Sequence, residues 1–330
     1  MTGTPQRYGM TIPFDGVPLA DHREWFRELV DLGYTDVWSS EANGADAFTP
    51  LALAAAWAPE LRLGSAIVPA YTRGPACLAQ SVASIADAAP GRVAFGIGTS
   101  SDVIVERWNG IPFEDPYRQV KDMVTFLDAA LAGEKVSGTY GRSEVKGFRL
   151  GVKPAQRPAI LIAALREGML RLAGRHSDGA IINWLSADDV RTVAPIVSEA
   201  ATAAGRKAPE VVARIFVAPT TDRDTVLAMG RYAIAAYLTV PVYAAFHTWL
   251  GRGEQLADMA RLWEEGDRSG ALDAIPESLV DELIVHGSPE ECREHIGRYL
   301  EAGVTTPALA VLPFGLDMRQ ALRDLAPLNG

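Results

Sequence analysis

Glu41 closes a short apolar run, Asp36-Val-Trp-Ser-Ser-Glu41, which puts a carboxylate at the end of a strand. There it could orient a ligand ring or hydroxyl, or act as acid or base. A surface glutamate opening a loop fits the same position equally well. Arg73 and Arg166 follow two further apolar runs and could pair with a phosphate, although a single arginine is more often simply solvated. Gly96-Ile-Gly-Thr-Ser-Ser101 resembles a dinucleotide fingerprint but has Ser101 where the third glycine belongs, and the acids that follow, Glu114 and Asp115, sit in a Pro-flanked loop. Its small residues, Thr99 and Ser100, suit close approach of a flat ring or phosphate to the main chain. From Pro158 to Asn183 an apolar run, a helix beginning near Glu167 and a second apolar run follow one another. A helix start after a buried strand aims free N–H groups at the strand's end, a ready anion site. The five histidines form no pair at metal-ligand spacing, so no metal is expected. Neither a Gly-x-Ser-x-Gly elbow nor a P-loop occurs.

Eight strand signals must position these groups: 7–13, 36–41, 62–69, 92–98, 159–165, 179–184, 211–217 and 306–312, each followed by a helical pattern. Eight such units in this length predict an α/β fold, a (β/α)8 TIM barrel. A doubly wound open sheet is the main rival. Insertions interrupt the rhythm near 133–157, where a short hairpin is expected, and near 223–285, which reads as mostly helical to about Asp267. Tyr232, Tyr237, Tyr243, Phe246 and Trp249 in the second insertion read as a packing face, compatible with a cap over a pocket. In either fold ligands gather at the C-terminal strand ends. One domain over 1–330 is expected.

The net charge of −10, from 31 basic and 41 acidic residues, argues against nucleic-acid and membrane-surface binding. Cys77 and Cys292 lie far apart in helical patterns and read as buried small residues in a reducing compartment. No apolar run reaches membrane-spanning length and the N-terminus lacks a leader pattern, so a cytoplasmic protein is expected.

Several motifs together resemble the luciferase-like monooxygenase superfamily, in its coenzyme F420 (deazaflavin) branch. They are Asp36 to Glu41, Gly64 to Pro69 with Thr72 to Pro75, Gly91 to Gly98, Arg107 to Pro112 and Pro158 to Asn183. The resemblance runs through nearly the whole chain in order, and FMN-using members share most of it. It implies a barrel with the cofactor at the C-terminal mouth and a non-proline cis peptide, Ala66–Ile67, backing the ring. It implies phosphate contacts at Ala164, Leu165, Glu167 and Gly168, faced by Thr99 and Ser100, with Arg166 alongside and Glu41 near the ring. Two positions depart from the branch. Ala42 stands where members carry a proton-transferring histidine, and Ser101 where some carry a glutamate. Glu41, Tyr71 and Trp184 are the nearest groups that could take over, and Glu41 and Trp184 are taken as catalytic. The departures point away from sugar-phosphate or alcohol oxidation and toward reduction of an activated double bond or a carbonyl.

The expected activity is hydride transfer between F420 and a small organic substrate. The alternatives are an FMN-dependent monooxygenase and a non-catalytic cofactor-binding barrel. A homodimer is expected through apolar helix faces of the second insertion.

Overall fold

The computed structural model describes residues 6–327. Residues 1–5 and 328–330, which the N-terminal and single-domain expectations include, lie outside them. The strands are β1 (Gly9–Ile12), β2 (Asp36–Ser39), β3 (Arg62–Ser65), β4 (Val68–Pro69), β5 (Val93–Gly98), β6 (Lys135–Tyr140), β7 (Ser143–Arg149), β8 (Ala159–Ala163), β9 (Gly179–Asn183), β10 (Glu210–Ala218), β11 (Ile284–His286) and β12 (Thr306–Val311). Eight of them close a parallel barrel in the order β1-β2-β3-β5-β8-β9-β10-β12, with β12 pairing back onto β1. Runs such as Ala159-Ile-Leu-Ile-Ala163 are buried on both faces because helices cover the outside and side chains fill the inside.

Three details differ from the sequence expectation. The run 62–69 is not one unbroken strand: it breaks at Ala66–Ile67, whose peptide bond is cis as the resemblance implied, and resumes as β4 against β5. The 223–285 insertion is mostly helical, as expected, and adds a strand at its end that was not. After Arg223–Leu238, Pro241–Trp249, Ala257–Glu265, Arg268–Asp273 and Glu277–Leu283 it ends in β11, which pairs with β10 beyond the point where β9 stops. Cys292 is buried but Cys77 is exposed, because Leu78 and Ala79 take the inward face of helix Pro75–Ala88. The expected hairpin is β6–β7, antiparallel and outside the barrel. No single helix among the described residues is long and apolar enough to cross a membrane.

The barrel's lower half is solid. Trp38 lies across it, and a Cβ placed on Gly64 or Gly9 would fall 2.2 Å or 2.7 Å from the indole. Only glycine leaves room for that ring at these two positions. Ala94, Leu161, Ile181, Val212 and Ala308 pack around it. Beneath, Arg62 donates two 2.7 Å hydrogen bonds to Glu210 and approaches Asp36 at 3.3 Å. Burial works against the Glu210 anion, yet Arg62 outweighs it and holds the carboxyl below its ordinary range. A ligand therefore has to come from the opposite end, where the strands' C-termini open.

Candidate active site at the barrel mouth

The break between β3 and β4 fixes one side of the mouth. Ala66 N–H donates to Ser39 O at 2.6 Å and Glu41 N–H donates to Ile67 O at 3.2 Å, so the bulge is tied to the end of β2. The Glu41 carboxylate is not free. It accepts from Arg73 at 2.5 Å, from Ala47 N–H at 3.2 Å and from Thr72 Oγ1 at 3.5 Å. Arg73, read from sequence as a phosphate partner, is instead the counter-ion of Glu41 and lies over the Phe48 ring at 5.1 Å. Ala42, exposed in the following turn, brings no titratable group.

Next to it, β5 leads into Thr99 and Ser100, both partly buried, with Ser100 at φ 62°. Ser101 Oγ accepts Ile104 N–H at 3.3 Å, at the start of the π-helix Val103–Trp108. The Ser101 side chain thus has a local structural task. Tyr71 donates its hydroxyl to Glu114 O at 2.7 Å, and burial pushes the phenol up to about 12, so it keeps its proton.

β5 and β8 are hydrogen-bonded neighbours, with Ile97 opposite Ile162. Thr99-Ser100 and Ala164 to Gly168 therefore open side by side. Ala164 is buried, its N–H on Ile181 O at 2.9 Å, Leu165 is half-buried, and Arg166 is exposed and extended as the N-cap of helix Glu167–His176. That helix has no side-chain cap, and its first ring closes only at Leu170 N–H onto Arg166 O, 3.0 Å. The N–H groups of Glu167, Gly168 and Met169 are left for a ligand. A Cβ on Gly168 would meet nothing within 4 Å, so the approach is open. Glu167's carboxylate faces away, paired with Arg171 at 2.7 Å. Its backbone rather than its side chain suits an anion.

The far wall differs from expectation. Trp184, at φ 51°, is 1% exposed inside a second core, stacked on Phe216 at 4.0 Å and near Tyr237 at 4.7 Å. Its carbonyl is 3.0 Å from His247 Nε2. The structure does not bring Trp184 to the bulge side of the mouth with Glu41. The sequence reading also passed over Arg214, a lone cation at the alternating position between inward Val212 and Phe216. A charge interrupting an apolar barrel strand was the available signal.

A shallow groove of ≈ 390 Å³, lined by Phe48, Cys77 and Ser81 among others, runs between two outer helices and has no convergent charged groups. The mouth, with its free helix donors, small residues and bulge, fits a phosphate-bearing flat cofactor better.

The profile described as luciferase-like monooxygenase matches residues 2–306. The chain is 26% identical to the 5,10-methylenetetrahydromethanopterin reductase of Methanolobus tindarius over 296 residues, 88% of this chain and 90% of that one. It is 28% identical to the F420-dependent glucose-6-phosphate dehydrogenase of Nocardia farcinica over 331 aligned positions, 91% and 93% of the two chains. The solved coenzyme F420 dependent tetrahydromethanopterin reductase of Methanopyrus kandleri superposes with a TM-score of 0.80, at 21% identity and 97% of each chain. That likeness is one of fold; with the profile spanning most of the sequence, the chain belongs to the luciferase-like monooxygenase family.

Proposed function

We propose that the protein is a coenzyme F420-dependent oxidoreductase, working as a single domain on a small organic substrate. One observation carries the reading: uncapped helix donors at Glu167 to Met169 open beside Thr99-Ser100, on the same mouth as the Ala66–Ile67 bulge and Glu41. The names of the relatives support F420 over other phosphate-bearing rings. When bound, the deazaflavin supplies a carbon that gives or takes hydride. This chain's residues hold and shield it. Helix donors and Arg166 take the phosphate, and Ala66, Ile67 and Ala164 wall the ring. Glu41, neutralised by Arg73, orients the ring and does not act as a base. Trp184 supports the substrate side from within the second core. With Ala42 and Ser101 in place of acid–base groups, reduction of an activated double bond or carbonyl suits the site best.

Purified protein titrated with F420 and with FMN, followed by cofactor fluorescence and melting temperature, tests this. Tighter F420 binding and oxidation of reduced F420 by an enone or ketone are expected. Tighter FMN binding with oxygen uptake would replace the reading by a monooxygenase. F420 binding without turnover of any acceptor would replace it by a binding protein.

A further inference from the structure

Arg62 and Arg214 both project into this barrel, and they are treated differently. Arg62, at the floor, is matched by Glu210 and Asp36. Arg214, on β10 toward the mouth, has no ion pair and no hydrogen-bond partner among the described residues, and its Nε is buried. Its guanidinium carbon lies 4.9 Å from the centre of the Phe216 ring, two residues further along, so the side chain leans toward the open end. A half-buried cation resting on an aromatic ring and lacking an anion is a cost to the empty protein.

The groups around it are also unmatched. Asn183, opposite Arg214 in the β9–β10 register, donates Nδ2 to Tyr243 Oη at 3.1 Å, while its Oδ1 is buried without a partner. Trp184 Nε1 is buried without a partner as well. Because Asn183 is the donor, the Tyr243 hydroxyl proton remains free for an acceptor. Burial pushes that phenol up to about 12, so the proton is present at neutral pH.

We propose that Arg214 and Tyr243, with Asn183 holding the tyrosine, form an anion-recognising subsite, and that the substrate carries a carboxylate. The guanidinium offers paired donors to two carboxylate oxygens and Tyr243 adds a third. A single uncompensated cation matches a monoanion, not a phosphate dianion. Asn183 Oδ1 then accepts an N–H or O–H next to the carboxylate. The position lies two strands round the barrel from β8, which the helix donors follow, so the subsite is separate from the phosphate cradle. The role as a substrate site rests on the oxidoreductase reading; anion binding itself does not.

The test uses the whole chain without cofactor. Crotonate and benzoate are compared with crotonamide and benzamide, and with inorganic phosphate, by calorimetry and melting temperature. The carboxylates should bind and the amides should not. Arg214→Met should weaken carboxylate binding by about tenfold or more, Arg214→Lys less. Arg214→Met should also melt higher than the wild type when no ligand is present, since it removes an unmatched charge. F420 titration of the same variants should give the wild-type affinity. Equal carboxylate binding by wild type and Arg214→Met would overturn the proposal, as would tighter binding of phosphate than of either carboxylate. Loss of F420 affinity in Arg214→Met would assign the cation to the cofactor instead. If the wild type binds carboxylate but not F420, the subsite stands and the cofactor reading falls.

Discussion

Glu41 shows how far a single residue can be read. Its place at a strand end was legible from Asp36 to Glu41. Its partner was not, because Arg73 lies 32 positions away and reaches it only through the fold. Removing the negative charge in Glu41→Gln leaves Arg73 poorly matched, and a loss of about 1–3 kcal/mol in urea unfolding is expected. A stability equal to wild type would show that the pair contributes nothing. Arg214 escaped notice for the opposite reason: it stood inside an apolar strand and looked like an interruption. His247 gives a pH-dependent prediction. Burial first, and then nearby Arg252, push it down to about 4, against the smaller opposing pull of Asp189. The unfolded chain therefore takes up a proton between its ordinary value of 6.5 and about 4 while the folded chain does not. That difference favours unfolding, so stability should fall as pH drops through this window. His247→Gln should flatten this part of the melting-temperature profile. An unchanged slope would mean that other groups, such as His295, also held down to about 4, dominate.

At the scale of elements, the strands and helices with strong periodicity were readable, and Pro75–Ala88 and the β6–β7 hairpin lie where the sequence puts them. The short β11 was not, because three residues between two helices carry no period; only pairing with β10 makes them a strand. The break in 62–69 was also invisible to periodicity and came only with the family resemblance. β5 owes its fit to Gly96, where a Cβ would sit 2.0 Å from Ser65 O and 2.3 Å from Ile181 Cδ1. A backbone oxygen cannot swing aside, so Gly96→Ala should cost about 1–3 kcal/mol or more in denaturant unfolding. The helix at Glu167 makes a prediction of its own. Arg166→Glu puts a negative charge beside the free donors and should weaken F420 binding several-fold, most strongly at low salt. Unchanged affinity would move the phosphate elsewhere.

For the molecule as a whole, the eight-unit count favoured the barrel but left an open sheet as its rival, because closure depends on pairings between segments nearly 300 residues apart, β1 with β12. A cofactor held at the mouth should stabilise the folded chain by about 2.7 kcal/mol at a hundredfold excess over its dissociation constant. The helix Arg223–Leu238 leaves Met229 and Tyr232 exposed, at 44% and 64%. We expect this face to meet a second copy, and light scattering on Tyr232→Glu should show a shift from dimer to monomer.

The Trp38 and Arg62 plug leaves the barrel open at one end only. A vessel stoppered at the far end has a single doorway, so cofactor and substrate come and go by the same mouth. A substrate lengthened where it points out of that doorway should still turn over, and one lengthened toward the stopper should not. Equal turnover of both would mean that the stopper yields.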